Sequence, residues 1–507
     1  MATQNNSKVV VIGAGIAGVS AALKLVYNGI PDVTLLEAQD YIGGRVKAAM
    51  IDGSPADLGA QFIHGRTGNP VYEIAAKLKR IPFAVSINPR EESLTNPGNI
   101  FYTSSGHKIQ RDEVNDLIPL LDEVVEEEPT DGNGKSVQEA LESVYSKFLS
   151  DNEGKINPAK KEVYEAAYRW FSKYIQVDNA TDDLSLLSCD SEYVVLPGDR
   201  FTDVDNGMSG LVATLAEQLP PGVVQLNTPV SRIDWTGEET DNPIQSSGSK
   251  PVRVTCENGN TIEADHVIVT ISIGCLKATH KTLFQPLLPV PVQEAVEHTG
   301  FGLIGKIFLQ FEEAFWEDYR ESTQDNYFES YELLWLDSHL PTIQSDKSKR
   351  KTKSGHPWWY GFHSVETMYS HPKVLEMWLT TEQTELSDDL SDEEVMAVCT
   401  DVLRAFIKDF PVPDPLAIYR TKWFNNPYIR GTYSYASTQF RKQDKKHFGR
   451  PVPSYQDPQV LFAGEAYSKE FQSTFHGALI SGDNTADLLL SKHGLKPQTK
   501  LIDLVSP

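Results

Sequence analysis

Residues Val9-Val-Val-Ile-Gly-Ala-Gly-Ile-Ala-Gly18 decide the fold. A β-branched apolar run leads into three glycines at the G-x-G-x-x-G spacing, Gly13, Gly15 and Gly18, and an alanine-rich helical pattern follows from Val19 to Tyr27. A second apolar run, Val33 to Leu36, ends on Glu37. Each part has a physical use. Gly13 allows the tight turn, Gly15 lets backbone N–H approach a pyrophosphate, and Gly18 lets the helix pack closely on the strand. The helix N-terminus attracts phosphate charge. Glu37 stands about 20 residues on, where an acid accepts the hydrogens of a ribose diol. The stretch therefore predicts a βαβ unit that holds a dinucleotide.

The rest of the chain bounds what surrounds that unit. Its 507 residues exceed one simple core and predict at least two domains. No run resembles a membrane span, and the start Met-Ala-Thr-Gln-Asn-Asn-Ser-Lys has no apolar signal core. The expectation is a cytoplasmic protein without a membrane partner. Cys189, Cys256, Cys275 and Cys399 are scattered without a C-x-x-C pair, which fits free thiols and no metal site. Asn179-Ala-Thr181 matches a glycosylation acceptor and, without an export signal, is read as accidental. Seventy acids against 46 bases give a net charge of −24. Nucleic acid, which needs a basic face, is excluded, and a small cationic substrate would be drawn in.

Along the chain, Tyr41-Ile-Gly-Gly-Arg45 supplies two more glycines and a cation where phosphates would lie. The patterns Leu117 to Glu128, Val137 to Leu149 and Lys160 to Tyr174 predict helices in a second, substrate-facing part. Val223 to Trp235 reads as a strand with a turn at Thr228-Pro229. Val252 to Cys256 and Thr261 to Ala264 flank the hairpin signal Asn258-Gly259. With the buried strand His266 to Ile271, these are expected to join the opening unit in one sheet. Lys306-Ile-Phe-Leu-Gln-Phe311 alternates polar and apolar residues, and by pattern alone Lys306 belongs on a solvent-facing strand edge. The basic run from Lys347 to Lys353 reads as a solvated loop rather than a nuclear address. Val460-Leu-Phe-Ala-Gly-Glu465 reads as strand, glycine and acid, and Ala478 to Leu490 as an amphipathic helix.

Taken together these segments resemble the flavin amine oxidases, and within them the polyamine oxidase branch. The resemblance is carried by the opening glycines, Ile42-Gly-Gly-Arg45 and Gly59-Ala-Gln-Phe-Ile-His-Gly65. Val267 to Lys277, Phe301 to Leu309, Trp423 to Tyr433, Phe462-Ala-Gly-Glu465 and Ser473 to Gly482 complete it in order. It implies an α/β fold: a Rossmann-like FAD-binding domain from discontinuous segments, 6–80, 200–285 and 425–490, with an α+β substrate-binding domain from 81–199 and 286–424.

The resemblance also implies roles. Gly13, Gly15, Gly18, Glu37, Gly44 and Arg45 would hold the adenosine and pyrophosphate, with Val230 on the adenine side. Gln61, Trp423, Gly464, Glu465 and Thr474 would complete the cofactor site, the last helix pointing its N-terminus at the flavin. Lys306 would be catalytic, assisting reoxidation by O2. His64, a satisfied loop histidine by pattern alone, would lie over the substrate amine, with Tyr433 and Thr474 as further substrate contacts. Thr432 stands where monoamine oxidases attach the flavin through cysteine, so FAD should be non-covalent. The family's usual proline is replaced by Ser272. The acid for a distal ammonium is poorly matched; Asp178 is the candidate, and a surface loop acid is an equal reading. The implied reaction oxidises a polyamine, spermine or an N1-acetylated form, at a secondary amine with O2, giving an aldehyde, a shorter amine and H2O2. An L-amino-acid oxidase, a monoamine oxidase and a non-catalytic dinucleotide-binding protein are the alternatives, and oligomeric state is left open.

Overall fold

The computed structural model describes residues 6–82, 99–110, 113–126, 134–199, 201–235, 251–317 and 330–506. The opening strand Val9–Ile12 lies inside a six-stranded sheet. Across that sheet run Val452–Pro453, Pro458–Phe462, His266–Val269, Val9–Ile12, Val33–Leu36 and Val224–Gln225. Pairing is parallel throughout except at the Val452–Pro453 edge. The runs Val9–Ile12 and His266–Val269 are buried along their whole length, which is why they read as continuous apolar stretches rather than alternations.

The helix after the glycines, Ile16–Tyr27, starts three residues before the alanine-rich pattern, directly at the turn. Gly13 has φ +104° there, and a Cβ on Gly18 would lie 1.9 Å from the Gly13 carbonyl oxygen. The last helix, Phe475–Lys492, packs against this opening helix in the same core. Their approach is so close that a Cβ on Gly482 would lie 2.1 Å from the Ala17 carbonyl oxygen.

The expectation of one sheet for the central strands needs correction. Val224–Gln225 and His266–Val269 join the parallel sheet. Val230–Asp234, Val252–Cys256 and Thr261–Ala264 form a separate sheet with Phe284–Gln285. The cause is the turn at Thr228-Pro229: its proline has no N–H to donate, and the chain leaves one sheet there for the other. The second sheet shares a core with the parallel one.

A third, mixed sheet has six strands in the order Ala417–Arg420, Gly305–Gln310, His371–Leu379, Ser364–Met368, Ser330–Leu334 and Asn99–Thr103. Alternate side chains point to opposite faces. Ile307, Leu309, Tyr331, Leu333, Val365, Leu375 and Met377 fill one face and share a core with the helix Asp392–Phe406. That helix opens on a capping box between Ser391 and Glu394. Lys306 sits on the other face, in an interior strand, and is 4% exposed. The solvent-edge reading of Lys306 is therefore wrong: periodicity gives the face of a strand but not what covers that face.

The acidic helical region contains Ile118–Glu126, Val137–Asp151 and Pro158–Asp178; the last two residues expected in the first of these fall outside the described residues. Asp178 closes the third helix instead of standing in a loop. The basic run from Lys347 to Lys353 has no regular helix or strand, and its lysines are exposed. Among the described residues, no helix is long and apolar enough to cross a membrane.

The contact between the opening and last helices yields a stability prediction. Gly482→Ala places a methyl against the Ala17 backbone, which has no flexible atom to yield. It should destabilise the protein by about 1–3 kcal/mol, read as a lower urea midpoint; an unchanged midpoint would mean the helices can separate freely.

Candidate active site

The carboxyl ends of the parallel strands and the polar face of the mixed sheet border one cavity of about 1710 Å³. Its wall carries Gly13, Gly15, Glu37, Gly44, Arg45, Gln61, His64, Asp178, Val230, Lys306, Trp423, Tyr433, Gly464, Glu465 and Thr474. All the residues singled out from sequence are thus brought to one space except Gly18, which lies behind the wall and packs the helix onto the turn.

At one end the wall is suited to a dinucleotide. No side chain caps the opening helix at Gly15, so its first N–H groups are left to a ligand. A Cβ on Gly15 or Gly44 would have its nearest protein neighbour 3.8 Å away and would project into the cavity, so glycine at both positions leaves space for another molecule. Glu37 is positioned by two backbone donors, Ala14 N–H to Oε2 at 2.8 Å and Gln39 N–H to Oε1 at 2.9 Å. Each oxygen keeps a lone pair for a diol. Burial raises the Glu37 pKa, and these backbone bonds oppose the rise.

Arg45 is held by the Glu465 carboxylate at 2.8 Å. Glu465 also accepts the Ser434 hydroxyl at 2.6 Å and the Ser473 N–H at 3.2 Å. Their pairing was not legible in the sequence, since the two lie 420 positions apart. Thr474 caps the last helix, accepting the Gly477 N–H at 2.9 Å. Trp423 is buried with Leu303 and Ile429. The Tyr433 hydroxyl donates to the Val177 carbonyl at 2.7 Å, and burial, then Asp178 and Glu465, drive its pKa well up.

Lys306 lies where the mixed sheet meets the segment from Asp57 to Gln61. Its Nζ donates to the Asp57 carbonyl at 3.1 Å and to Gln61 Oε1, and pairs with Glu376 at 3.3 Å. It also lies 4.4 Å from the centre of the Trp378 ring. Two of these contacts are hydrogen bonds and the third, to Glu376, is an ion pair, so Lys306 brings positive charge held at a fixed point of the cavity wall. Gln61 bridges the pair by donating to Glu376 Oε2 at 3.3 Å. The half-buried His64 ring meets Phe201 edge-on, with centroids 5.9 Å apart. Nearby His476 is pushed down to about 4 by burial, then by His64.

Sequence reasoning missed the acids of the mixed sheet. Glu332, Glu366 and Glu376 share the face of Lys306, because Phe308 stands opposite Glu376 and Glu376 opposite Glu366. A short signal was present in Ser330-Tyr-Glu332 and Ser364-Val-Glu366, where two polar residues flank one apolar residue. Such a period marks one wet and one dry face, and the wet face here lines the cavity.

The family model described as flavin containing amine oxidoreductase matches residues 16–490. The human peroxisomal N(1)-acetyl-spermine/spermidine oxidase is 32% identical over 96% of this chain and 95% of its own length. A probable polyamine oxidase 5 from Arabidopsis thaliana is 28% identical over 96% of this chain and 98% of its own. A solved putrescine oxidase bound to putrescine superposes with a TM-score of 0.63 at 17% identity, covering 96% of this chain and all of that one. The fold class is the expected one, and the cofactor is FAD, which the glycine cradle, the uncapped helix and Glu37 are built to fit. With its motifs in order and the family model spanning nearly its whole length, this chain belongs to the flavin-containing amine oxidoreductases and is an FAD-dependent amine oxidase.

Proposed function

We propose that this amine oxidase acts on polyamines, oxidising spermine or N1-acetylated polyamines at a secondary amine with O2 to an aldehyde, a shorter amine and H2O2. The observation that carries this reading is the acid face of the cavity. Glu332 and Glu366 stand on its wall, and Glu376 pairs with Lys306 beneath it. A chain of ammonium groups is the complement of such a surface. The amino-acid alternative would need a cation for the substrate carboxylate, whereas Arg45 and Lys306 are both committed to protein carboxylates.

FAD, when bound, accepts the hydrogen and electron pair removed from the carbon beside the reacting nitrogen. That nitrogen must be neutral to push electrons into the breaking bond, while distal nitrogens stay charged. In the proposed assignment Gly13, Gly15, Gly44 and Arg45 hold the dinucleotide phosphates, Glu37 the ribose and Val230 the adenine side, with Gly18 packing the turn behind them. Glu465, Gly464, Gln61, Trp423 and Thr474 surround the rest of the cofactor. His64, Tyr433 and Thr474 orient the amine, and Asp178 receives a charged nitrogen at the opposite wall. Lys306 favours electron transfer to O2 because its charge offsets the negative charge that arrives on oxygen.

The parallel sheet draws its strands from Val9–Leu36, Val224–Val269 and Val452–Phe462, and the mixed sheet draws its strands from Asn99–Thr103 and Gly305–Arg420. This supports the division into an FAD-binding part at 6–80, 200–285 and 425–490 and a substrate-binding part at 81–199 and 286–424.

The reading is tested by H2O2 release from purified protein given spermine, spermidine, their N1-acetyl forms, a simple monoamine and an L-amino acid. Release with the polyamines alone is expected; release only with the monoamine or the amino acid would replace the substrate class. Lys306→Met should slow reoxidation by O2 roughly 100-fold while FAD content stays near one per chain, measured by stopped-flow mixing with oxygenated buffer. Normal reoxidation would remove Lys306 from the mechanism. Cys189 and Cys275 also reach the cavity wall, but burial raises both thiols above their ordinary range and leaves them poor nucleophiles. Acid precipitation should therefore release the flavin into the supernatant, and yellow colour kept in the pellet would mean a covalent bond.

A further inference from the structure

The mixed sheet carries a second polar group on the cavity wall, beyond Lys306. In register, Ser330 stands opposite Glu366, and Glu332 opposite Ser364, so these four side chains form a compact patch. All four line the cavity, as does His363. Adjacent strands are about 4.8 Å apart, which puts Glu366, two strands from Lys306, about 10 Å away across the sheet.

The patch has a direction. Glu332 is buried, and its carboxylate is fixed by the Trp170 indole N–H at 2.8 Å and the Ser330 hydroxyl at 2.5 Å. Glu366 accepts the Ser364 hydroxyl at 2.8 Å. That hydroxyl lies 3.3 Å from His363 Nε2. If the hydroxyl proton goes to Glu366, the ring donates at Nε2, and Nδ1 is left as an acceptor. His363 is 2% exposed, and among the described residues its Nδ1 has no hydrogen-bond partner. Burial, then the charge of Lys173, pushes its pKa down to about 3, so the ring is neutral and offers a lone pair. A buried acceptor with nothing to accept from, set on a cavity wall beside two carboxylates, points to a missing donor.

The donor's chemistry follows from the patch. Among the described residues no three His, Cys, Asp or Glu side chains are grouped to hold a metal ion. Burial, then repulsion from Glu376 and Glu332, raises the Glu366 pKa to about 8, so its carboxylate form is favoured when a positive charge arrives beside it. An ammonium supplies that charge together with several N–H donors.

We infer that Glu366 and Glu332, with Ser364, Ser330 and His363, form a subsite that receives the protonated far end of an extended amine substrate. The inference rests on the polyamine reading and adds a preference to it. A terminal ammonium gains charge-assisted hydrogen bonds here, whereas a terminal N-acetyl amide, neutral and with one N–H, does not. The enzyme therefore favours polyamines with a free end.

The test compares kcat/KM of the FAD-loaded enzyme for spermine and for spermine acetylated at both terminal nitrogens. Wild type should prefer spermine. Glu366→Gln keeps the shape of the side chain but cannot form the carboxylate that pairs with an ammonium; it should lower kcat/KM for spermine about 10- to 100-fold, chiefly through KM, and leave the diacetyl form within about twofold, as expected for a contact that form does not make. Should Glu366→Gln not retain flavin, Ser364→Ala removes the hydroxyl that orients Glu366 and should move the same ratio in the same direction. If wild type oxidises spermine but neither variant changes the ratio, the polyamine reading stands and the subsite is wrong. If wild type oxidises neither compound while retaining FAD, the polyamine reading falls, and the subsite with it.

Discussion

One buried cation ties the two halves of the cavity together. Lys306, from the middle of the mixed sheet, reaches the Asp57 carbonyl and Gln61, which follow the opening βαβ unit, and pairs with Glu376 of its neighbouring strand. Asp57 in turn accepts the Met208 N–H at 2.8 Å and so caps the helix Gly207–Ala216. An uncompensated charge at this depth costs several kcal/mol. The ammonium is therefore tolerated only while these segments stay together, and the geometry of the cavity depends on that condition.

Around this junction the cavity is divided by chemistry. Its dinucleotide end offers backbone N–H groups at a glycine turn and a helix N-terminus, which select phosphate. Its far wall offers carboxylates on a strand face, which select cations. Arg45 and Glu465 neutralise each other between these ends. The net charge of −24 thus has a local counterpart, since part of the acid excess faces inward where a substrate would lie.

The parts legible in the sequence were those written in contiguous residues. The opening unit could be read because strand, glycines, helix and acid occupy fewer than forty positions with a fixed backbone purpose. The last helix was legible for the same reason, although it starts at Phe475, three residues before the apolar pattern read from Ala478. Lys306 was misread from its strand pattern, since alternation assigns a face but leaves its covering unspecified. The split of the central strands into two sheets was missed because a proline turn was taken as a pause rather than an exit. Glu332, Glu366 and His363 were missed altogether: their nearness comes from the register of strands thirty residues apart, and no local spacing encodes it.

In the proposed complex a dinucleotide and an extended amine share one cavity, the amine lying along the carboxylate face of the mixed sheet. A crystal structure of the FAD-loaded enzyme with a non-oxidisable polyamine analogue would show whether they do. The flavin should lie between Lys306 and Trp423, the analogue should pass His64, and one terminal ammonium should stand within hydrogen-bond reach of Glu366 or His363 Nδ1. An analogue that leaves the mixed sheet untouched and places both ends elsewhere would contradict that arrangement.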